Sequence, residues 1–336
     1  MITQIRFQNF KALKDAELKL GAFNVIVGPN GSGKSSVLQA INALAEPGSV
    51  NWGFATTVGM QQQTLSINAT LKVGNRVENV TLGFHPNFGW IVMRGQNRQL
   101  LAHSGIEGQE ISSILSGIKV FYFETESLGK PVAAQQIKEL QRDGKNLVGA
   151  LTNLRDKDED AYDRLRQEFQ RWIPEYDALI FNNEQNGHRH LNLRQKTSRG
   201  IIPASQASEG TLLALALLTI VHQPTPPVLI GLEEPDRGLH PRLLRELRDA
   251  LYRLSFPTDF GIKRAPVQVV VTTHSPFFLD LFKDHPEQVI IAEKKPDGTA
   301  TFKNLSDDKE LRELIGDAPL GEVWYSGVLG GVPVAA

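Results

Sequence analysis

Three short apolar runs, far apart in the chain, are the clearest features in the pattern of hydrophobic and polar positions. Phe23–Val27, Val228–Leu232 and Val267–Thr272 are each almost continuously apolar, which is typical of strands buried on both faces of a parallel sheet. Apolar residues at helical spacing follow the first run, over residues 37 to 44. We therefore predict an α/β fold, with these three strands in one mixed core sheet packed against helices.

The first part of the chain also shows alternation of apolar and polar residues, which predicts further β-strands. Ile2–Phe7 and Ala16–Leu20 are two such segments that lead into the first core strand, and residues 64–93 continue the alternation. Ile118–Phe123 is another strand candidate. We expect residues 51–125 to form an antiparallel β lobe that is inserted after the first helix.

The middle of the chain changes to a helical period. Apolar residues recur in two stripes over residues 137–172, and no heptad repeat is sustained. Asn186-Gly187 then marks the turn of a polar hairpin. Residues 126–199 are thus predicted to be a compact helical insertion and hairpin, while residues 1–50 and 200–336 make the core of a single domain.

Composition and charge exclude several classes of protein. Hydrophobic residues make up 41% of the 336 residues and charged residues 22%, as in ordinary globular proteins. The formal net charge is −1, so bulk charge does not point to nucleic acid or membrane. Cysteine is absent, which excludes disulfides and thiolate metal sites. The longest apolar run, Leu212–Val221, is too short to span a bilayer, and the first residues lack a signal-peptide pattern. We expect a cytoplasmic protein with no direct membrane insertion.

The first core strand leads into the sequence Gly-Pro-Asn-Gly-Ser-Gly-Lys-Ser-Ser at residues 28–36, which fits the phosphate-binding loop pattern G-x-x-x-x-G-K-S/T. Its glycines let backbone N–H groups turn towards a phosphate, and the following helix offers its positive dipole end. Lys34 adds a charge for the β- and γ-phosphates of ATP, and the Ser35 hydroxyl is suited to Mg²⁺. A ligand-free glycine turn is the alternative, but the pattern and its strand–helix context agree on a nucleotide. The residues that we expect to contact ATP here are Gly28, Asn30, Gly31, Ser32, Gly33, Lys34, Ser35 and Ser36.

Two carboxylates, Glu233 and Glu234, follow the second core strand. A buried strand with acids at its carboxyl end places them at the rim of the sheet, beside the phosphate loop. Glu233 is suited to hold Mg²⁺ or its water shell, and Glu234 to orient and deprotonate an attacking water as a catalytic base. A solvated pair of acids at a strand end is the alternative interpretation.

Two further candidates are weak when each is taken alone. His274 ends the third core strand, where an imidazole can contact a γ-phosphate and sense its presence, although a lone strand-end histidine is more often structural. Ser208, Glu209 and Gly210 open a strongly apolar helix and offer a second anion site, although a plain N-cap is the better explanation in isolation. Only their joint occurrence with the phosphate loop makes these residues informative.

The order of these motifs resembles one known architecture. A phosphate loop, S-E-G-T, an apolar strand with E-E-P, then G-L-H-P and T-H-S-P follow one another as in ATPase heads of the ABC type. Within that superfamily the chain is similar to the RecF/SMC/OLD-like group of AAA family ATPases, including residues 7–13 and 321–327 near its two ends. The resemblance covers essentially the whole chain. It implies a P-loop NTPase fold of the ABC-ATPase head type, with ATP and Mg²⁺ as ligands.

The resemblance also implies roles for individual residues. Ser208, Glu209 and Gly210 stand at the signature motif, which in the family completes the ATP site of the opposite subunit in a head-to-tail homodimer. Residues 236–240 stand at the D-loop, and His274 stands at the switch histidine. The signature residues would therefore bind the nucleotide of a second copy of the chain.

Three departures from the family pattern affect these expectations. Glu233 replaces the aspartate commonly found before the catalytic glutamate, so the magnesium shell differs. His240 stands where many relatives carry the D-loop aspartate, so coupling across the dimer differs. The expected position of the Q-loop glutamine, residues 123–126, contains no glutamine, and Gln135 and Gln136 lie a little beyond it.

The resemblance favours an ATP-hydrolysing head that dimerises on ATP and acts on DNA or on a separate effector protein, in DNA repair or phage defence. The nucleotide-binding subunit of a membrane transporter is the alternative, but the N-terminal Asn9-Phe10 pattern argues against it. A nuclease fused to such a head has less support, because the residues after His274 show no cluster of acids suited to catalytic metals.

DNA contact has one local sequence signal. A basic stretch without an acid falls in the predicted hairpin, and a solvated hairpin explains it equally well. Its members are His188, Arg189, His190, Arg194, Lys196 and Arg199.

Overall fold

The computed structural model describes residues 1–51, 54–58, 64–85, 89–95, 99–133, 139–183, 187–307, 316 and 318–330. The strands in these ranges are β1 (Ile2–Phe10), β2 (Leu13–Lys19), β3 (Phe23–Val27), β4 (Leu65–Val73), β5 (Arg76–His85), β6 (Gly89–Arg94), β7 (Gln99–Leu100), β8 (Ile118–Phe121), β9 (Val132–Ala133), β10 (Tyr176–Asn183), β11 (His188–Gln195), β12 (Ile201–Pro203), β13 (Leu229–Glu233), β14 (Gln268–Thr273), β15 (Val289–Lys294) and β16 (Ala300–Asn304). The helices are α1 (Lys34–Ala45), α2 (Gly105–Ser116), α3 (Thr125–Leu128), α4 (Leu147–Lys157), α5 (Glu159–Trp172), α6 (Glu209–His222), α7 (Leu244–Ser255), α8 (Pro276–Leu279) and α9 (Leu320–Tyr325). The predicted turn residue Asn186 and the two glutamines Gln135 and Gln136 lie outside the described residues.

The core sheet has the strand order β16-β15-β3-β14-β13-β8. The strands from β15 to β8 in this order run parallel, and β16 pairs antiparallel with β15 at one edge. β3 and β14 are buried at every residue, because helices and the β lobe cover both faces of the sheet. The three apolar runs are the neighbouring strands β3, β14 and β13, so the prediction of one mixed core sheet is confirmed.

The antiparallel β lobe is present, but the bounds predicted for it, residues 51–125, are wrong at both ends. Its strand order is β2-β1-β4-β5-β6-β7, so β1 and β2 belong to the lobe and not to the core. At the other end, residues 105–116 form α2, and β8 is an edge strand of the core sheet parallel to β13. β1 joins the lobe because it pairs with β4, with Phe7 opposite Ile67. This contact joins residues far apart in sequence, so the local pattern does not encode it.

The helical insertion and hairpin form a third layer. β10, β11 and β12 make a small antiparallel sheet, to which β9 adds at one side. The predicted boundary at residue 200 is wrong, because β12 pairs with β11 and continues this small sheet. α4 and α5 pack beside α6, whose residues from Thr211 to Val221 are all buried. α6 is therefore the central helix of this side of the molecule, as its apolar sequence predicts.

The parallel sheet determines where chemistry can occur. β3, β14 and β13 run in one direction, with Val27 opposite Thr273 and Glu233 opposite Thr272. Their carboxyl ends therefore lie at one edge, where ligands bind in open α/β sheets. The segments that follow these strands carry the phosphate loop, the carboxylate pair and His274. No helix in the described ranges is long and apolar enough to cross a bilayer.

Candidate nucleotide site

The phosphate loop connects β3 to α1 through two glycines in left-handed conformations. Gly31 has φ 76° and Gly33, the N-cap of α1, has φ 91°, a region that side chains disfavour. No side chain caps the first turn of α1, so its N–H groups remain available to an anion. Lys34 Nζ donates hydrogen bonds to the carbonyls of Gly28 at 2.8 Å and Pro29 at 2.9 Å. The loop is thus closed around the lysine.

Close packing explains two of the glycines. A Cβ on Gly28 would stand 2.2 Å from the carbonyl oxygen of Ala292, and one on Gly33 would stand 2.9 Å from the Ala300 Cβ. Ser32 is fully buried, and its hydroxyl lacks a hydrogen-bond partner among the described residues. An unpaired buried hydroxyl is costly, and a bound phosphate would supply an acceptor. Asn30, Gly31 and Ser35 are exposed at the mouth of the loop, and Ser36 is half-buried behind them.

The residues proposed for magnesium meet across the sheet edge. The Ser35 hydroxyl donates a short hydrogen bond to Glu233 Oε1, although the two residues are 198 positions apart in sequence. A hydroxyl and a carboxylate are hard oxygen ligands, and Mg²⁺ typically takes one or two such protein ligands besides phosphate and water. The donor set therefore fits Mg²⁺, and Ser35 and Glu233 are the residues that would hold it. No group of three or more histidine, aspartate or glutamate side chains in the described ranges is arranged to hold a metal without a substrate.

Glu234 and His274 form a second pair at the same edge. His274 Nε2 lies 3.5 Å from Glu234 Oε1, and about a third of each side chain is exposed. Glu234 has φ 43°, a left-handed conformation that is rare outside glycine. Its N–H donates to the Thr272 carbonyl at 3.1 Å, which fixes the strained residue against β14. Strain of this kind is often found where a side chain must be aimed at a ligand.

Burial and charge change the acidity of two site residues. Burial lowers the pKa of Lys34 to about 8, against the opposing effect of the Glu234 and Glu233 charges. Burial and the Lys34 charge lower the pKa of His274, while Glu234 raises it. The imidazole is therefore mainly neutral at neutral pH. A neutral His274 can donate one hydrogen bond to a phosphate without placing a second positive charge next to Lys34.

Asp236 is a residue of this site whose role the sequence did not indicate. Its Oδ2 accepts a hydrogen bond from the Thr273 hydroxyl at 2.7 Å, and the same hydroxyl accepts one from the Ser275 N–H at 2.9 Å. The backbone before and after His274 is thus tied to the segment that follows Glu234. Burial raises the pKa of Asp236 to about 6, and the Glu234 charge adds to this against the Thr273 hydrogen bond. The resemblance placed Asp236 in the D-loop at residues 236–240, but no sequence signal indicated its bond with Thr273.

The carboxylates face an open cleft of about 560 Å³. The cleft is also lined by residues 122–127, Lys130, Leu213 and Arg237. The segment where a Q-loop glutamine was expected, residues 123–126, therefore lines the same cleft as Glu233 and Glu234. The sequence placed this segment near the site correctly, but it contributes glutamates and no glutamine.

The proposed signature residues occupy a different place. The Ser208 hydroxyl accepts a hydrogen bond from the Thr211 N–H at 3.2 Å and caps α6. A Cβ on Gly210 would stand 2.5 Å from the Gly238 carbonyl oxygen, and Arg237 Nε lies 3.6 Å from Glu209 Oε1. These contacts reach the segment after Glu234. In the part of the chain that the structure describes, no hydrogen bond or ion pair joins residues 208–210 to the phosphate loop.

Two acids, Asp177 and Asp156, offset part of the positive charge of the basic stretch in the hairpin. Arg194 donates to Asp177 Oδ1 at 2.7 Å, and Arg199 donates to Asp177 Oδ2 at 2.5 Å. Arg189 donates to Asn183 Oδ1 at 2.8 Å and lies 3.9 Å from Asp156. The hydrogen bonds and charges of Arg194 and Arg199 lower the pKa of Asp177. The acids that offset part of this charge come from β10 and α4, so the local sequence alone did not reveal them.

His240, which stands at the D-loop position where an aspartate was expected, has a local role. Its Nδ1 accepts a hydrogen bond from the Arg242 N–H at 3.2 Å. The histidine thereby caps the short turn at Pro241–Leu243 that precedes α7.

The comparisons with known proteins agree with this fold. Residues 1–81 match the family model described as "AAA ATPase domain". A relative, the OLD nuclease of Thermus scotoductus, is 32% identical over 88 residues, which is 26% of this chain and only 15% of that protein. The solved structure of the recombination mediator protein RecF with ATPrS aligns with 90% of this chain and 98% of that chain, at 14% identity and a TM-score of 0.51. The SMC head domain of Thermotoga maritima aligns over the same shares at 14% identity and a TM-score of 0.49.

The RecF likeness concerns the fold, because so few residues are identical. The family assignment comes from residues 81–280, which match the model described as "AAA domain, putative AbiEii toxin, Type IV TA system". This range is more than half of the chain and includes α6, the carboxylate pair and His274. The chain therefore belongs to this AAA domain family.

Proposed function

We propose that this chain binds ATP with Mg²⁺ and hydrolyses it, and that two copies close head to tail on the nucleotide. The observation that carries the proposal is the bond between Ser35 and Glu233, which joins the phosphate loop to the carboxylate pair. It brings a phosphate-binding element, a magnesium ligand set and a candidate base to one sheet edge. These are the parts that phosphoryl transfer to water requires.

Each residue has a defined part in the proposed reaction. Lys34 and the loop N–H groups bind the β- and γ-phosphates, and bound Mg²⁺ would neutralise charge that develops on them. Glu234 accepts a proton from the water that attacks the γ-phosphorus, while the bond from that phosphorus to the bridging oxygen breaks. The products are ADP and phosphate. His274 donates a hydrogen bond to the γ-phosphate, which supports the transferred group and reports its presence.

The proposed homodimer would give a role to the signature residues, which lie away from the phosphate loop of their own chain. Residues 208–210 begin a helix and have the residue types of an anion site, but they contact the segment after Glu234 and not their own loop. A second copy in the opposite orientation would bring these residues to the γ-phosphate. Closing and reopening of that dimer is then the conformational change that ATP hydrolysis drives.

The target of this change is proposed to be DNA or a partner protein. RecF, whose fold this chain shares, is a recombination mediator protein, which supports DNA and a role in DNA repair. Antiviral defence through a separate effector is the other role that we propose, although the relative is named only as a nuclease. The hairpin arginines give DNA little added support, because Asp177 already binds two of them.

The experiment that tests hydrolysis is the Glu234→Gln variant. The amide keeps the shape of the side chain but cannot take a proton, so we expect turnover to fall by about 100-fold or more while ATP still binds. Glu126→Gln is the matched control, because Glu126 lines the same cleft. Full turnover in Glu234→Gln would overturn the assignment of the base and make Glu233 the next candidate.

A further inference from the structure

The hairpin of β15 and β16 forms one wall of the phosphate loop. β15 pairs in parallel with β3, with Ile291 opposite Val27, so both strands leave the sheet at the same edge. The next residue, Ala292, touches the loop, because a Cβ on Gly28 would stand 2.2 Å from its carbonyl oxygen. Backbone packs on backbone at this point, so the hairpin holds a fixed position against the loop.

One cross-strand pair of this hairpin spans the loop. Lys294, the last residue of β15, is opposite Ala300, the first residue of β16. Ala300 fills the space at Gly33, where an added Cβ would stand 2.9 Å from its own Cβ. Lys294 Nζ lies 3.8 Å from the position that a Cβ on Gly31 would take. The ammonium is thus at the exposed mouth of the loop.

The charge of Lys294 has no counterion within the described part of the chain, where it makes no hydrogen bond or ion pair. Its neighbour Lys295 differs, because it faces an acid. Hydrogen bonds from Thr299, and then the charges of Lys14 and Lys295, lower the pKa of Asp297. Lys34 differs as well, since it donates to two loop carbonyls and faces both carboxylates. Lys294 is an unbalanced cation beside uncapped backbone N–H groups, which is the charge complement of a phosphate chain.

We propose that Lys294 is a second cation that binds the phosphate chain of the nucleotide. The inference rests on the proposed function, because it takes a nucleoside triphosphate to be the occupant of the loop. Lys34 binds from inside the loop, and Lys294 binds from the hairpin wall at its mouth. A lysine suits this position because its ammonium is a point charge on a flexible stem that can follow the phosphates.

The test compares Lys294→Ala with Lys295→Ala, a control that removes the same charge one residue away. Isothermal calorimetry with ATP and Mg²⁺ should show affinity about fivefold weaker in Lys294→Ala, unchanged affinity in Lys295→Ala, and affinity within about twofold of wild type in Lys294→Arg. The deficit should shrink when NaCl is raised from about 0.1 M to about 0.5 M, because salt screens an exposed charge. Thermal unfolding without nucleotide should be the same for both alanine variants.

Two results would overturn the inference: equal ATP affinity in the two alanine variants, or a deficit in Lys294→Ala that salt does not reduce. Lys34→Ala, measured alongside, keeps this failure separate from failure of the proposed function. If wild type binds ATP and Lys34→Ala does not, the nucleotide site stands whatever Lys294 does. If wild type binds no ATP, the proposed function fails and the role of Lys294 fails with it.

Discussion

Two helices of this chain, α1 and α6, begin with small residues suited to an anion, but their surroundings differ. The start of α1 has no side-chain cap, and Glu233 of β13 contacts its first turn through Ser35. The start of α6 is capped by its own Ser208 hydroxyl and packs against Gly238. The first start is surrounded by the groups that ATP chemistry needs, whereas the second has none of them within hydrogen-bond reach among the described residues.

Similar local sequences at the starts of two helices can therefore serve different partners. The first helix start acts within its own chain, because parallel strands bring the other groups to it. The second start is attached to the segment after Glu234 by Arg237 and Gly238, so it can report on the site without forming it. A substitution at the start of α1 should therefore weaken ATP binding, and one at the start of α6 should instead affect the proposed dimer.

Lys34→Ala should produce the largest effect. It should disrupt nucleotide binding at the start of α1 and leave the start of α6 unchanged. The loop would lose its buried positive charge, so ATP affinity should fall on the order of 100-fold by calorimetry. The fold should survive, because burial already lowers the pKa of Lys34 to about 8, which means that the charged lysine is not a source of stability. Normal ATP affinity in this variant would remove the phosphate-loop assignment. Lys14→Ala, an exposed lysine of β2, serves as the control.

Ser208→Arg should disrupt the proposed dimer contact at the start of α6 and leave the phosphate loop at the start of α1 unchanged. In the Glu234→Gln background, uncleaved ATP should hold two chains together, and light scattering with Mg-ATP should report a dimer. Adding Ser208→Arg should abolish that dimer by filling the anion site, while ATP binding by the monomer stays within about twofold of wild type. Ser116→Arg, the same change at the exposed end of α2, is the control. A Glu234→Gln protein that stays monomeric with Mg-ATP would contradict the cross-subunit role of Ser208.

The first region could be predicted from sequence because its signals are local. The glycines and Lys34 lie within nine residues of one another, and continuous apolar runs mark the strands that carry the carboxylates and His274. Neighbouring parallel strands then place their ends together. The sequence thus named candidate residues that the fold brings to one sheet edge, although it did not predict the bond between Ser35 and Glu233.

The errors arose where pairing between distant segments decides the structure. β1 alternates like any strand, and only its pairing with β4 places it in the lobe. β8 is an apolar run that could have joined either sheet. Lys294 approaches Gly31 only because β15 is in register with β3. Register of this kind is set by long-range packing and not by the pattern of one segment.

Glu168→Ala should loosen the carboxyl-terminal end of α6, the end away from Ser208, and should lower the stability of the fold. Glu168 on α5 is buried, lies 2.8 Å from His222 Nε2 of α6, and accepts a hydrogen bond from Arg253 of α7. Burial alone would raise its pKa, but the hydrogen bond with His222 and the Arg253 charge keep the pKa of Glu168 below its ordinary value.

Removing this carboxylate leaves buried donors unpaired, so the free energy of unfolding should fall by about 3 kcal/mol in urea denaturation. Asp163→Ala, which removes an exposed ion pair of the same helix, should cost about 0.5 kcal/mol or less. ATP affinity of the folded variant should be unchanged, because the phosphate loop does not touch this network. Equal losses of unfolding free energy in the two variants would show that the contacts of Glu168 with His222 and Arg253 do not hold α6 in place.

Asp236→Asn should have the smallest effect, and it tests the link between the two regions. The pKa of Asp236 is raised to about 6 in the folded protein, whereas an unfolded aspartate titrates near 3.9. Between these values the folded chain binds more protons than the unfolded chain, so this group's contribution to stability falls as pH rises from about 4 to about 6.

Asparagine never ionises and still accepts the Thr273 hydrogen bond. The variant should therefore melt about 2–4 °C above wild type at pH 7.5, with little difference at pH 4.5. Thr273→Val, which removes the same bond from the other side, should lower the melting temperature at both pH values. A gain from Asp236→Asn that is equal at both pH values would mean that this carboxylate does not titrate in that range.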